Sequence, residues 1–178
     1  MSWRFDTIRC GDYRSVGFQT HMLRLNMKTK TLSWDEWVSL LTQVVDKTRN
    51  SYKPDILIPI MNGGLIPAGI VAKQMSVSDV RPVSVGRDGE KRYFIFPSHG
   101  KIGNVARRKI LIVEDDAMTG KSIELVKEYL FKKGAKEVKT ICVFIAEGVK
   151  NIEFFNRELD VDAFPIYPWK KSNFGNRK

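Results

Sequence analysis

Cysteine and histidine are scarce in this chain, with two of each among 178 residues. Two thiols cannot build a disulfide framework, and with no Cys/His cluster there is no zinc-ligand spacing to read. Cys142 sits in an apolar run and reads as a buried thiol, whereas Cys10 stands in a polar segment. Long apolar runs are missing as well. Nothing approaches the roughly 18 residues of a spanning helix, and no basic leader precedes an apolar block. The expectation is a cytoplasmic protein with no membrane partner. Internal repeats and low-complexity linkers are also absent.

Acid is the charge in short supply. Asp and Glu number 20 against 30 Lys and Arg, a net charge of +10. Such a surplus suits either nucleic acid or a small substrate carrying several phosphates. The basic residues concentrate at 87–92, 101–109 and 170–178 but are otherwise spread out, and no nucleic-acid motif accompanies them. The phosphorylated small molecule is therefore preferred. The apolar fraction, 43%, is ordinary, and the length suits one domain with a real core.

The chain is organised around residues 110–122, Ile-Leu-Ile-Val-Glu-Asp-Asp-Ala-Met-Thr-Gly-Lys-Ser. Four branched apolar residues in a row read as a strand buried on both faces. Three carboxylates, Glu114, Asp115 and Asp116, follow at once. From Thr119 the apolar spacing becomes helical (Ile123, Val126, Tyr129, Leu130) and Gly134 marks the stop. A loop feeding a helix N-terminus presents free N–H groups to an anion, and ligands of open α/β sheets bind outside the carboxyl ends of the strands. A phosphorylated sugar would use both halves, hydroxyls on the carboxylates and phosphate on the amides.

The same unit occurs upstream. Residues 55–61 read as a central strand despite Pro59, Asn62-Gly63-Gly64 breaks it, and 65–75 reads as a helix. Before it, Ser33 and Glu36 form a capping box for a helix with apolar face Trp37, Leu40, Leu41, Val44 and Val45. Further short strands are expected at 80–85 and 93–96, with charged, glycine-bearing loops at 86–92 and 98–104. A long strand is expected at 138–146, a short helix at 151–159 and a last strand at 163–169. Residues 1–32, with Trp3, Phe5, Tyr13 and Phe18, read as short strands or an irregular lid. Alternating strands and helices give an α/β fold with a mostly parallel sheet.

Two other readings of residues 110–122 fail. Leu-Ile-Val-Glu-Asp-Asp resembles the start of a two-component receiver, but too little chain follows for that domain. A nucleotide-binding Gly-x-x-x-x-Gly-Lys-Ser loop would need glycine where Asp115 stands.

With these pieces in order, residues 33–169 resemble the type I phosphoribosyltransferases, closest in pattern to the purine (xanthine, guanine, hypoxanthine) enzymes. Residues 113–122 are similar to that family's signature for 5-phosphoribosyl 1-diphosphate, and residues 54–68 to its pyrophosphate loop. The resemblance implies one domain with a small hood formed by the terminal segments (1–32 and about 147–178). It implies transfer of a 5-phosphoribosyl group to a nucleobase, with release of pyrophosphate. Glu114 and Asp115 would hold the ribose hydroxyls and share Mg²⁺ with substrate and water. Ala117, Met118, Thr119, Gly120, Lys121 and Ser122 would cradle the 5′-phosphate, and Asn62, Gly63 and Gly64 the pyrophosphate, beside a cis peptide near Met61 and Asn62. Arg87 and Lys91 would close over the substrate with Arg92. Where 6-oxopurine relatives carry an aspartate this chain has Met118, so either Asp116 serves from a shifted position or the base loses its proton unaided. Glu147, Tyr167 and Trp169 would meet the nucleobase, whereas His99 reads as a surface residue. A homodimer is expected. The alternative is a regulatory protein that keeps the phosphoribosyl pocket as a sensor and binds nucleic acid through its basic surface.

Overall fold

The computed structural model describes residues 6–8, 27–95, 102–160 and 163–169. Trp3, Phe5, Cys10, Tyr13, Phe18, His99 and the basic tail from residue 170 lie outside the described residues. The chain divides into a terminal unit, 1–39 with 159–178, and a larger unit, 40–158.

The larger unit is built on a five-stranded sheet. In chain order it contributes β3 (Ile56–Met61), helix α2 (Leu65–Met75), β4 (Val83–Asp88), β5 (Lys91–Ile95), β6 (Lys109–Val113), β7 (Asp116–Ala117), α3 (Lys121–Lys132), β8 (Glu137–Ile141) and β9 (Phe144–Ala146). The spatial order is β5-β4-β3-β6-β8. β4, β3, β6 and β8 run parallel, and β5 returns antiparallel at the edge. Branched residues fill the centre because both faces are covered: Ile56, Ile58, Ile60, Ile110 and Ile112 pack with Ile123, Val126 and Leu130 of α3. Leu57 and Leu111 are equally buried but belong to the opposite face, as the two-residue period of a strand requires. Pro59 has no N–H to give, and it falls between the Leu57↔Val80 bridge and the Ile60↔Val83 pair, where the β3–β4 ladder makes no demand on it.

Expectations for three segments of the larger unit are corrected. Residues 138–146 are two strands, because after Ile141 the backbone changes partner. The Cys142 N–H donates to the Phe154 carbonyl and the Val143 N–H to that of Asp115, and β9 then pairs with β7. Residues 151–159 form no helix. Asn151 takes φ +64°, Phe154 bridges Ile141, and the Glu153 carboxylate accepts the Thr140 N–H at 2.7 Å. That segment ends in β10 (Arg157–Leu159), in a small sheet of order β10-β9-β7. Residues 86–92 are not a loop but the two arms of the β4–β5 hairpin, turning at Gly89-Glu90. Tyr93 lies across Gly86, where an added Cβ would meet its ring at 2.4 Å, so the hairpin is packed rather than open.

The terminal unit holds β1 (Asp6–Ile8), β2 (Met27–Thr31) and β11 (Ala163–Ile166), in the order β1-β2-β11. The expected strand at 163–169 therefore stops at Ile166, and a turn follows at Pro168-Trp169. Helix α1 (Trp34–Ser51) begins here with the capping box in place. The Glu36 N–H donates to Ser33 Oγ at 3.1 Å and the Ser33 N–H to Glu36 Oε2 at 3.0 Å. That backbone bond, helped by Lys30, lowers the Glu36 carboxyl below its ordinary pKa.

Candidate functional site

β3 and β6 are parallel neighbours in register, with Pro59 opposite Val113. Both chains therefore leave the sheet at the same edge, Asn62-Gly63-Gly64 from one and Glu114-Asp115-Asp116 from the other. The two loops touch. A Cβ on Gly63 would lie 2.5 Å from Asp115 Oδ1, and one on Gly64 would lie 2.1 Å from the Val113 carbonyl oxygen. Only glycine permits an approach this close. The Met61–Asn62 peptide is cis.

The acids are ordered by their own backbone. The Asp115 N–H donates to Glu114 Oε2 at 3.1 Å and the Asp116 N–H to Asp115 Oδ1 at 2.8 Å. Glu114 is driven well above the ordinary carboxyl pKa, first by burial, then by the charges of Asp115 and Asp116; N–H groups of Asp115 and Gly64 oppose the shift. The Cys142 thiol, fully buried and donating to the Phe144 carbonyl at 3.3 Å, is pushed up by burial and then by the same three carboxylates. Repulsion of this kind is relieved by hydroxyl donors or a cation. Among the described residues no group of three or more ligands forms a preset metal cage. Glu114 and Asp115 are hard oxygen donors of the type that holds Mg²⁺ in company with substrate phosphates and water.

β7 carries Asp116 and the buried Ala117, followed by Met118 and Thr119. Gly120 then adopts φ +68° at the N-cap of α3, where no side chain caps the helix. The first helical N–H groups are left for an anion at the positive end of the dipole. Lys121 and Ser122 open this turn, and Lys121 pairs with Glu90 at the tip of the β4–β5 hairpin. Lys121 draws the Glu90 carboxyl below its ordinary pKa. Nothing local in the sequence announces this pair, since its partners stand 31 residues apart.

Arg87 and Lys91 lie on the two hairpin strands, Arg87 opposite Arg92 and Lys91 opposite Asp88. The Arg92 guanidinium folds back onto its own turn, donating to the carbonyls of Gly89 at 3.2 Å and Lys91 at 3.1 Å. Glu147 is exposed just beyond β9, whose pairing with β7 carries the chain alongside the anion loop, and Val149 comes within 3.3 Å of a Cβ built on Gly120.

Tyr167 and Trp169 belong to the terminal unit. Their rings stack at 4.8 Å, and Trp169 also meets Trp37 edge-on at 4.6 Å and Trp34 at 5.7 Å. Tyr167 is fully buried and Trp169 is partly exposed. The structure thus brings together Asn62, Gly63, Gly64, residues 114–122 and the approach of Glu147, and gives Tyr167 a core role within its own unit.

Comparison with known proteins bears on the family and the fold. The phosphoribosyl transferase domain model matches residues 33–172. The chain is 28% identical to a purine phosphoribosyltransferase from Pyrococcus horikoshii, with a TM-score of 0.69 over 80% of this chain and 95% of that one. It is 26% identical to the uracil phosphoribosyltransferase of Dictyoglomus thermophilum over 161 residues, 86% of this chain and 74% of that protein. It is 27% identical to that of an Arthrobacter species over 99 residues, 55% and 47%. The alignments span about half the length of most of the curated relatives matched.

Proposed function

The chain belongs to the phosphoribosyl transferase family, and from that premise we propose that it transfers the 5-phosphoribosyl group of 5-phosphoribosyl 1-diphosphate to a purine base. One observation carries the reading: the Asp115 carboxylate lies against Gly63, so the loop we assign to the ribose and the loop we assign to the diphosphate share one edge of the sheet.

In this reading the amides of residues 117–122 and the Thr119 and Ser122 hydroxyls grip the 5′-phosphate. Glu114 and Asp115 accept from the ribose 2′ and 3′ hydroxyls as charge-assisted bonds. The amides of Asn62, Gly63 and Gly64 receive the pyrophosphate. Glu114 and Asp115, with substrate and water, would hold Mg²⁺, which when bound would supply charge to offset that of the departing diphosphate. The bond from the anomeric carbon to the diphosphate oxygen breaks, a bond to the base nitrogen forms, and positive charge gathers on the sugar between. What the chain contributes is orientation, prepaid electrostatics and exclusion of water. Arg87 and Lys91 on the hairpin add positive charge near the leaving group, and Asp116 is the group to take the base proton. Glu147 is an acceptor suited to an exocyclic amino group such as that of guanine. Trp169 is the aromatic proposed to meet the base, and the terminal unit the hood. A cytoplasmic homodimer completes the proposal.

A second acceptor, uracil, is favoured by the similarity to uracil phosphoribosyltransferases. Incubation with donor, Mg²⁺ and each of guanine, hypoxanthine, xanthine, adenine and uracil, read as pyrophosphate release, separates the two. Release with a purine alone supports the proposal; release with uracil alone replaces the base. Donor binding with no turnover on any base would leave a sensor instead of an enzyme.

A further inference from the structure

The N-terminal edge of the sheet, at the opposite ends of the strands from the carboxylates, carries a different chemistry. The turn before β6 (Ala106, Arg107, Arg108) and the turn after α3 (Lys133–Lys136) are stitched together by their backbones. The Arg107 N–H donates to the Gly134 carbonyl at 2.7 Å and the Lys136 N–H to that of Arg108 at 2.9 Å. Around this seam Arg107, Arg108, Lys132, Lys133 and Lys136 are all exposed. Lys132 pairs with Glu128, and Lys133 lies 5.6 Å from the Tyr129 ring. Arg107, Arg108 and Lys136 are in no ion pair among the described residues. Of the acids near the seam, Glu137 pairs with Lys109 and Lys139, Asp79 pairs with Arg81 and also feels the charge of Arg108, and the Asp55 carboxylate accepts the Lys109 N–H.

Folding does not account for this charge. Cations in the last turn of α3 complement its dipole, which explains Lys132, but the arginines precede a strand. Arg107 moreover holds φ +60°, a conformation that glycine or asparagine adopts more readily than a long side chain. The backbone at this position therefore gives no local reason for an arginine. In the same last turn Phe131 leaves 51% of its surface in solvent, a flat apolar face beside the cations.

We propose that this seam (Arg107, Arg108, Lys132, Lys133 and Lys136, with Phe131) docks single-stranded nucleic acid, phosphates on the cations and a base on the Phe131 ring. Separated single charges follow a phosphate backbone, and an exposed aromatic among them stacks on an unpaired base but finds none in a duplex. The surface is independent of the carboxylate edge and holds whichever base the transfer reaction uses.

The probe is a fluorescein-labelled uridine strand of about 12 nucleotides, a length within one single-strand binding site, followed by anisotropy across a salt series. Arg107→Gly relieves the backbone, so it should keep or raise Tm while weakening binding. Arg107→Gly/Lys136→Glu should weaken it about ten-fold and lower the log–log salt slope by about one per cation removed. Phe131→Ala should weaken the single strand and leave a duplex of equal length unaffected. Lys47→Glu/Lys73→Glu, exposed cations elsewhere, serves as the control. Equal loss in seam and control variants, or displacement of the strand by millimolar pyrophosphate, overturns the proposal. Pyrophosphate release by the seam variants should match the parent chain.

Discussion

Gly63 and Gly64 stand side by side in one loop, and replacing each with alanine should fail differently. At Gly63 the new methyl meets the end of a side chain, Asp115, which can swing away. Gly63→Ala should therefore fold normally and lose donor affinity by about 100-fold, because the displaced carboxylate no longer meets the ribose. At Gly64 it meets backbone on two strands, the carbonyls of Val113 and Ile60, neither of which can yield. Gly64→Ala should lose about 3 kcal/mol or more of stability. Urea melts beside donor titrations separate the two outcomes. Glu114 offers a test of opposite sign. Its folded pKa exceeds its unfolded one, so it favours the folded state below the unfolded pKa and loses that contribution as pH rises through the folded value. Glu114→Gln should accordingly raise the Tm of the ligand-free protein at neutral pH by about 2–4 °C, flatten the decline in stability as pH rises above the ordinary carboxyl pKa, and weaken the donor. A lower Tm at pH 8 than the parent would show that the carboxylate is stabilising after all. The acids and glycines were readable as residue types. Their mutual contact was not, since it depends on which strand end faces which.

Elements bounded by strong local chemistry matched their expectation closely. The capping box predicted the start of α1, and 65–75 proved to be α2. Ser33→Ala removes an exposed cap and should cost about 1 kcal/mol, read as a fall in Tm with unchanged turnover. The elements misjudged were those decided by distant partners. Residues 151–159 have apolar residues at spacings a helix could use, yet Phe154 and Glu153 are claimed by the backbone of β8. The apolar run 138–146 conceals a change of sheet at Cys142-Val143, because period alone cannot register which neighbour a strand pairs with. The glycines at 86 and 89 suggested a loop, but Gly86 is there to admit the Tyr93 ring and only Gly89 makes the turn.

At the level of the whole molecule, the α/β class followed from alternation of strands and helices, and the family followed from two motifs in order. The run of cations at 101–109 was readable, but its meeting with Lys132, Lys133 and Lys136 was not, since the two turns are distant in sequence and are joined by backbone hydrogen bonds. Chelation supplies a test at this scale. EDTA should abolish pyrophosphate release, added Mg²⁺ should restore it, and Tm without donor should not move, because no preset cage holds a metal among the described residues. The in-register pairing of β3 with β6 has a further consequence. A slip of one residue between these strands would carry Gly63 away from Asp115 and exchange the side chains that β3 presents to the two buried faces. Donor at 100 times its Kd stabilises only chains that hold the correct register, by about 2.7 kcal/mol. Under the proposed function, a donor bound across both loops would thereby favour the correctly assembled sheet over its misregistered alternatives.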